Sequence, residues 1–374
     1  MMDQLFKRNQ SDLILLEVSS QDRSLRNEAE RSIETLILSL TLLLTIYGNA
    51  SVVFVLVRNF TLKNVPNMLL FYLTMVNLLI AILNMPFALV STAVDSWIFD
   101  ETWCVLSAFL NQFLLSTSNG LITVVAVYRY QAIANTFSAQ ITIRGAKWMV
   151  SFAILHSFVF SILPVFGWNL YLYSNAKGFC TLSWSAGGSG LIYTIMVVLC
   201  TFIGPFIAIV YMYIRIGVLT RYNTKEILNP KSLFLPSSRK IQQNDDHKRY
   251  GFKDDGHKGI TRRPRETQTV GKRHISGSRD SIVESKTLCS VSFVIVTFGL
   301  LLAPYYVVNM ASAFSQDSLS PKVDFVVAWL QYCHSPIVAV VYGYNNRRIK
   351  TFLKQLPWWP SFSKSGDEIC QSSL

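Results

Sequence analysis

The sequence predicts an all-α membrane protein, a bundle of seven transmembrane helices followed by a short amphipathic eighth helix. Three observations predict this fold. Hydrophobic residues make up 51% of the 374 residues and charged residues only 15%, against about 25% charged in a soluble domain. The apolar residues are gathered into seven runs, each about 20 residues or longer, which is the length that crosses a bilayer as a helix. Lys and Arg are concentrated in alternate connections between those runs.

The apolar runs define a predicted membrane domain over 33–345. They occur at 33–57, 66–92, 103–128, 146–167, 190–214, 286–314 and 322–343. The connections 58–65, 129–147 and 215–285 carry Lys and Arg, whereas the alternate connections carry almost none beyond Lys177. Since positive charge favours the cytoplasmic side, the sequence predicts an extracellular N-terminal tail over 1–32 and a cytoplasmic C-terminus.

The cytoplasmic side contains two polar segments. The connection 219–285 is rich in both charge signs and poor in hydrophobic residues, which predicts a disordered third intracellular loop. The tail 357–374 ends in Ser-Ser-Leu, a sequence that could add a strand to a PDZ groove. Basic residues near serines of the loop could guide a kinase, although such matches are frequent by chance.

Residues 346–356 form the predicted eighth helix. Ile349, Phe352 and Leu353 lie among four basic side chains, and Pro357 ends the segment. This pattern is typical of a helix that binds anionic membrane lipids.

Composition and motifs disfavour several other classes of protein. The net charge of +12 is explained by the cytoplasmic connections, so a nucleic-acid partner is not predicted. The chain shows no internal repeat of the kind found in transporters. No cofactor or metal is predicted, and an enzyme is disfavoured because His156 and His334 have no suitably spaced catalytic partner; both are interpreted as core histidines with satisfied hydrogen bonds.

A single arginine stands between two tyrosines at the end of the third apolar run, as Tyr128-Arg129-Tyr130. A charge at the edge of a membrane helix is costly unless it faces protein or water, which favours a functional role. The alternative is that Arg129 extends to the lipid headgroups.

Each predicted helix carries one motif, and the motifs follow one another at specific intervals. They are Gly48-Asn49; Asn77 and Met85-Pro86; Arg129, 25 residues after Cys104; Pro164; Pro205 and Tyr213; Phe298 and Pro304; and Val340-Val-Tyr342. Together they resemble the rhodopsin-like (class A) family of G-protein-coupled receptors over about residues 33–356. The resemblance implies a multi-pass plasma-membrane receptor that passes an extracellular signal to a heterotrimeric G protein, with arrestin and kinase as further partners.

The resemblance also implies roles for residues at the cytoplasmic end. Arg129 matches the arginine of the family's Asp-Arg-Tyr motif, which contacts the G protein, and Tyr130 follows it. Tyr213 and Tyr342 match two tyrosines that face each other in the active state. Glu284 stands where the family places the partner of the arginine; the alternative is a solvated charge at a helix start.

Several positions depart from the family's pattern. Tyr128 replaces the acidic residue before the arginine, which predicts elevated ligand-independent signalling. Asn77, Ser118 and Val338 occupy the family's sodium site, which lacks its carboxylate here and is predicted not to bind the ion. A register that uses Pro336 for the seventh helix leaves no tyrosine at the required interval. The sixth helix reads Leu301-Leu-Ala-Pro304, so the tryptophan floor of the family's ligand pocket is absent.

The resemblance places the ligand between the helices at their extracellular ends. The candidate polar contacts are Asn111, Gln112, Asn309, Asp324 and Tyr332; each could instead make only an interhelical hydrogen bond. Asn111 and Tyr332 replace the residues that bind amines and retinal in the family, so both ligand classes are disfavoured.

Two further features are expected on the extracellular side. Asn9 begins a glycosylation acceptor sequence in the tail. Following the family, a disulfide between Cys104 and Cys180 would hold the second extracellular loop over the pocket. The alternative function is a receptor-fold protein that no longer couples and acts as a scavenger, scaffold or heterodimer partner.

Overall fold

A computed structural model describes residues 28–59, 64–134, 141–228, 298–315, 320–345, 347–353 and 355. Seven helices in these ranges are long and apolar enough to cross a membrane, so the predicted fold class is confirmed. Asn9, Glu284, most of the segment 219–285 and the tail 357–374 lie outside the described residues.

The seven spans are numbered here in chain order. The first is Glu28–Asn59; the second combines Val65–Leu83 and Met85–Val94; the third is Glu101–Ala134; the fourth is Ile143–Ile162, extended by a 3₁₀ turn over Leu163–Phe166. The fifth combines Ser189–Val198, a π-helical turn over Leu199–Ile203 and Gly204–Leu228; the sixth is Phe298–Ser315; the seventh is Pro321–Asn345.

Three predicted boundaries need correction because the helices are longer than their apolar runs. The first helix begins at Glu28, inside the predicted tail 1–32. The third helix continues to Ala134, so Arg129 lies inside it rather than in a connection. The fifth helix continues to Leu228, into the loop predicted to be disordered. Hydropathy marks the hydrocarbon core, and a helix continues beyond it where polar residues still form its backbone hydrogen bonds.

The second span breaks at Asn84, which separates its two helices. Pro86 follows two residues later, and a proline has no backbone N–H to donate to the carbonyl four residues earlier. The hydropathy run 66–92 crosses this break because Asn84 is a single polar residue among apolar neighbours.

The third span is the central helix of the bundle. It packs against the second, fourth and fifth spans. A Cβ at Gly120 would lie 3.1 Å from the Cβ of Ala153, so the absence of a side chain permits the close approach of the fourth span. The fourth span begins with a side-chain cap, in which Thr142 Oγ1 accepts a hydrogen bond from the N–H of Gly145 at 3.2 Å.

A short helix, Arg347–Leu353, follows the seventh span. It lies within the predicted eighth helix 346–356, of which residues 346, 354 and 356 are outside the described part of the chain. Ile349 and Leu353 are buried, and the helix contacts the first span. Its apolar side therefore packs partly on protein rather than only on lipid.

The connection after the fourth span forms a β-hairpin, which the sequence analysis did not predict. Strand β1 is Tyr171–Ser174 and strand β2 is Phe179–Leu182. They pair antiparallel, with Tyr171 opposite Leu182 and Ser174 opposite Phe179. The turn ends at Gly178, whose φ of 76° lies in the left-handed region that favours glycine.

Candidate functional site

The hairpin covers one end of the helical bundle, here called the hairpin end. All four residues of strand β2 are buried. Cys180 in this strand forms a disulfide with Cys104 at the start of the third span, with their Cα atoms 5.4 Å apart. The predicted cysteine pair is therefore present, and it fixes β2 to the central helix.

Strand β2 also contacts the sixth and seventh spans. The hydroxyl groups of Thr181 and Tyr305 lie 3.1 Å apart, within hydrogen-bond distance. The ring of Phe179 meets the ring of Tyr332 edge-on, with centroids 5.4 Å apart. Trp184, just after the strand, packs edge-on against Tyr305 at 5.7 Å. The strand thus bridges three spans at the place where the sequence predicted a ligand pocket.

The turn of the hairpin carries a buried ion pair with the seventh span. Lys177 Nζ lies 3.8 Å from Asp324 Oδ1, and the two side chains are 9% and 7% exposed. Burial lowers the pKa of Lys177, and the charge of Asp324 acts in the opposite direction. Burying one charge alone is very unfavourable, so each residue depends on the other for its place in the interior.

The predicted ligand contacts do not share one environment. Asn111, Asn309, Asp324 and Tyr332 are buried. Gln112 is only partly buried and donates to Ser116 Oγ on its own helix at 3.3 Å. Asn309 donates from Nδ2 to the backbone oxygen of Tyr305 at 2.7 Å, whereas its Oδ1 has no hydrogen-bond partner within the described ranges.

The residues at the family's sodium position form a neutral contact. Ser118 Oγ donates to Asn77 Oδ1 at 3.1 Å. Asn77, Ser118 and Val338 are all buried. Within the described ranges, no three His, Cys, Asp or Glu side chains are grouped so that they could hold a metal ion.

Stacked aromatic rings fill the centre of the bundle between the fifth and sixth spans. The Phe202 and Phe298 rings are nearly parallel at 5.7 Å, and the Phe206 and Phe298 rings at 5.8 Å. His334 meets Phe298 edge-on at 6.5 Å. Leu302, one turn further along the sixth span, is buried where the resemblance led us to look for an aromatic floor.

His334 differs from the satisfied core histidine that the sequence analysis expected. It is 1% exposed, and neither ring nitrogen has a hydrogen-bond partner in the part of the chain that is described. His156 lies on the fourth span and is partly buried, with its ring 4.9 Å from that of Phe160.

The opposite end of the bundle holds the tyrosine and arginine residues of the predicted coupling region. Tyr128, Arg129 and Tyr130 are partly buried on the third span. Tyr213 on the fifth span is 3% exposed. Tyr342 belongs to the seventh span, but its side chain, like the whole of Glu284, lies outside the described part of the chain, so the pairing of Arg129 with Glu284 stays a prediction.

A family model described as 7 transmembrane receptor (rhodopsin family) matches residues 48–342. The chain belongs to this family of class A G-protein-coupled receptors. The family implies a multi-pass protein of the plasma membrane, and its members are receptors rather than enzymes. The prediction of family and the prediction that the protein is not an enzyme are therefore confirmed.

Individual relatives of the receptor are distant. G-protein coupled receptor 161 of Xenopus tropicalis is 26% identical over 310 residues, which cover 81% of this chain and 56% of the relative. A high-affinity lysophosphatidic acid receptor of Xenopus laevis is 24% identical over 333 residues, covering 86% and 80%. The crystal structure of squid rhodopsin has a TM-score of 0.72 at 16% identity, covering 89% of this chain and 87% of that one, and so shows the fold alone.

The receptor spans little more than half the length of the first of these relatives.

The hairpin residues that complete the site, Lys177, Thr181 and Trp184, were not predicted from the sequence. Lys177 did carry a signal, since it is the one basic residue of the connection 168–189. Thr181 and Trp184 carried none, because a polar or aromatic residue in an exposed connection is ordinary.

Proposed function

We propose that this receptor transmits an extracellular signal to heterotrimeric G proteins, with the hairpin end outside the cell and the Arg129 end inside. The position of Arg129 carries the proposal. The third span is one continuous helix from Cys104, which binds the hairpin, to Arg129. A displacement at the outer end can therefore reach the arginine through a rigid element.

The ligand proposed for the outer site is neither an amine nor retinal. Asn111 is buried where amine receptors carry a carboxylate. Asp324 is paired with Lys177, and Tyr332 occupies the position of the retinal lysine.

High basal activity is part of the proposal. Tyr128 places a phenol where the family has a carboxylate next to the arginine, so Arg129 lacks that restraint. The neutral contact between Asn77 and Ser118 removes a second element that would favour one state through an ion. Arrestin, kinase, PDZ-domain and lipid contacts of the tail and the short helix, and glycosylation of Asn9, are proposed with it.

A second candidate is a receptor-fold protein that does not couple and acts as a scavenger, scaffold or heterodimer partner. It is favoured by one specific observation, the buried, aliphatic Leu302 of the sixth span, where the family has the tryptophan floor of its ligand pocket.

A G-protein activation panel without added ligand separates the two candidates. The full chain and Arg129→Ala are compared at equal surface level across all G-protein classes, with Arg144→Ala, an exposed arginine near the start of the fourth span, as the control. We expect activation of at least one class that Arg129→Ala reduces at least about tenfold and Arg144→Ala does not. If no class is activated, the proposed basal activity is wrong and the second candidate is favoured. If Arg129→Ala equals the wild type, the proposed role of Arg129 in coupling is wrong.

A further inference from the structure

Two different cross-links hold the hairpin against the bundle. The disulfide between Cys104 and Cys180 ties strand β2 to the third span. The ion pair between Lys177 and Asp324 ties the turn to the seventh span. A disulfide on the outer surface stays closed unless it is reduced, whereas an ion pair opens when its charges become hydrated. Strand β2 also touches the sixth and seventh spans through Thr181 and Phe179. The ion pair is therefore the attachment of the turn alone, and the turn can separate from the seventh span while the strand stays in place.

Two buried amide side chains lie below these attachment points. Asn111 follows Cys104 by seven residues and Gln331 follows Asp324 by seven, so each amide lies about two helical turns, roughly 10 Å, deeper in the bundle. Asn111 Oδ1 and Gln331 Oε1 have no hydrogen-bond partner in the part of the chain that the structure describes. Buried acceptors of this kind are typical of a site that water or a ligand completes.

We propose that the Lys177–Asp324 ion pair is a releasable latch that keeps the hairpin closed as a lid over a polar site at Asn111 and Gln331. A ligand reaches this site only when the pair separates. The amide oxygens accept hydrogen bonds, so the site takes a ligand that presents hydrogen-bond donors. The proposal rests on the proposed ligand-binding role of this end of the receptor, but not on G-protein coupling.

A second ion pair on the same turn of the seventh span provides a contrast. Lys322 Nζ lies 2.6 Å from Glu30 Oε1, and these side chains are 70% and 35% exposed. An exposed pair contributes little because water solvates both charges. Removing one member of the buried pair instead leaves the other charge without compensation in the interior, which favours a hairpin that moves out into water.

The turn is also fitted closely to the second span. A Cβ at position 178 would overlap Thr92 Oγ1, and Ala176 and Lys177 are buried. The turn therefore lies between the helix ends at the hairpin end rather than above them.

Cysteine accessibility tests the latch without knowledge of the ligand. Asn111→Cys and Gln331→Cys are made separately in the full chain and expressed in intact cells. The rate of labelling by a membrane-impermeant trimethylammonium thiosulfonate is measured, and the rate for the chain without an added cysteine is subtracted. We expect slow labelling in both, and labelling at least about tenfold faster after Lys177→Met or Asp324→Asn. Lys322→Met should change the rate less than about twofold.

Charge exchange separates the loss of the latch from the loss of the fold. An antibody epitope added at the N-terminus reports the number of receptors at the cell surface. The double variant Lys177→Glu, Asp324→Lys restores an ion pair with the two charges exchanged. We expect the double variant to recover surface level and slow labelling. Equal rates in the wild type and both single variants overturn the proposal, as does a double variant that recovers neither property. Because no G protein enters the measurement, a receptor that fails to couple can still show the latch, and a coupling receptor can lack it.

Discussion

Ser118 donates a hydrogen bond of 3.1 Å to the side-chain oxygen of Asn77 in the buried centre of the bundle. Val338 of the seventh span is buried as well. These are the positions from which the family binds sodium, and a hard cation prefers anionic oxygen ligands. In this receptor an amide, a hydroxyl and an isopropyl group occupy them, so we expect the contact to stabilise the helices without an ion.

Basal signalling should therefore not depend on sodium. Replacing sodium chloride in the medium and assay buffer with N-methylglucamine chloride should leave G-protein activation in membranes unchanged. The double variant Asn77→Asp, Val338→Asn supplies a carboxylate and an amide oxygen, and sodium should then reduce its basal activity about fivefold or more. A sodium effect on the wild type equal to that on the double variant would show that the native site binds the ion.

Restoring the acidic residue beside Arg129 should lower the basal signalling of the receptor. In Tyr128→Asp a carboxylate gains a charge-assisted contact with the arginine, worth about 1–2 kcal/mol, which corresponds to a fall in basal signal of roughly five- to thirtyfold. Basal cAMP and calcium are measured at equal surface level. Tyr128→Asn is the control, because asparagine has the size and shape of aspartate without its charge. Its basal signal should stay close to that of the wild type. No difference between Tyr128→Asp and the wild type would contradict the proposed cause of the basal activity.

The hairpin turn should tolerate no side chain at position 178. Gly178 and Gly167 both have positive φ, 76° and 93°, so alanine at either position carries a backbone cost of about 1 kcal/mol. A Cβ at 178 would in addition overlap Thr92 Oγ1, whereas one at 167 has open space around it. Gly178→Ala should therefore destabilise the purified receptor by about 2–4 kcal/mol in total, and Gly167→Ala only by the backbone cost.

Thermal unfolding in detergent measures this difference. The variant Thr92→Ala removes the overlapping hydroxyl, so we expect it to recover part of the stability lost in Gly178→Ala. If Gly178→Ala and Gly167→Ala unfold at the same temperature, the turn does not lie against the second span as the structure shows.

Replacing the buried His334 with leucine should cost little stability, whereas the same replacement at the neighbouring Asn49 should destabilise the receptor. Neither ring nitrogen of His334 has a partner in the described part of the chain, so His334→Leu should change the free energy of unfolding by less than about 1 kcal/mol. Asn49 donates to the backbone oxygens of Thr45 and Ser335 at 2.9 Å and 3.2 Å. Asn49→Leu should therefore cost about 1–3 kcal/mol.

The same unfolding assay compares the two leucine variants directly. A His334→Leu receptor that loses as much stability as Asn49→Leu would contradict this prediction, and would show that His334 makes hydrogen bonds with water or with residues outside the described ranges.

Much of the architecture follows from local sequence. The seven runs, the cysteine pair and the position of Arg129 were predicted because hydropathy over about 20 residues and fixed motif intervals are properties of the chain itself. Helix ends were less predictable. Ala134 and Leu228 lie beyond the apolar runs, where the helices continue through polar residues that hydropathy does not score.

The site at the hairpin end depended on tertiary structure. Asn111 and Asp324 were recognised from their intervals to family motifs, but Lys177 lies 147 residues from Asp324 in the sequence, and nothing local pairs the two. The strands were missed because four-residue strands in a polar connection have too short a pattern to be distinguished from loop.

The sequence by itself determined the seven membrane helices, their predicted orientation and the departures at Tyr128, Asn77 and Val338, because each depends only on residue type at a given interval. Only the tertiary structure decided that the connection after the fourth span folds back as a hairpin, and that Lys177 meets Asp324 in the interior of the protein. A buried charge is stable only beside its opposite, and which opposite it meets is settled by the packing of distant segments.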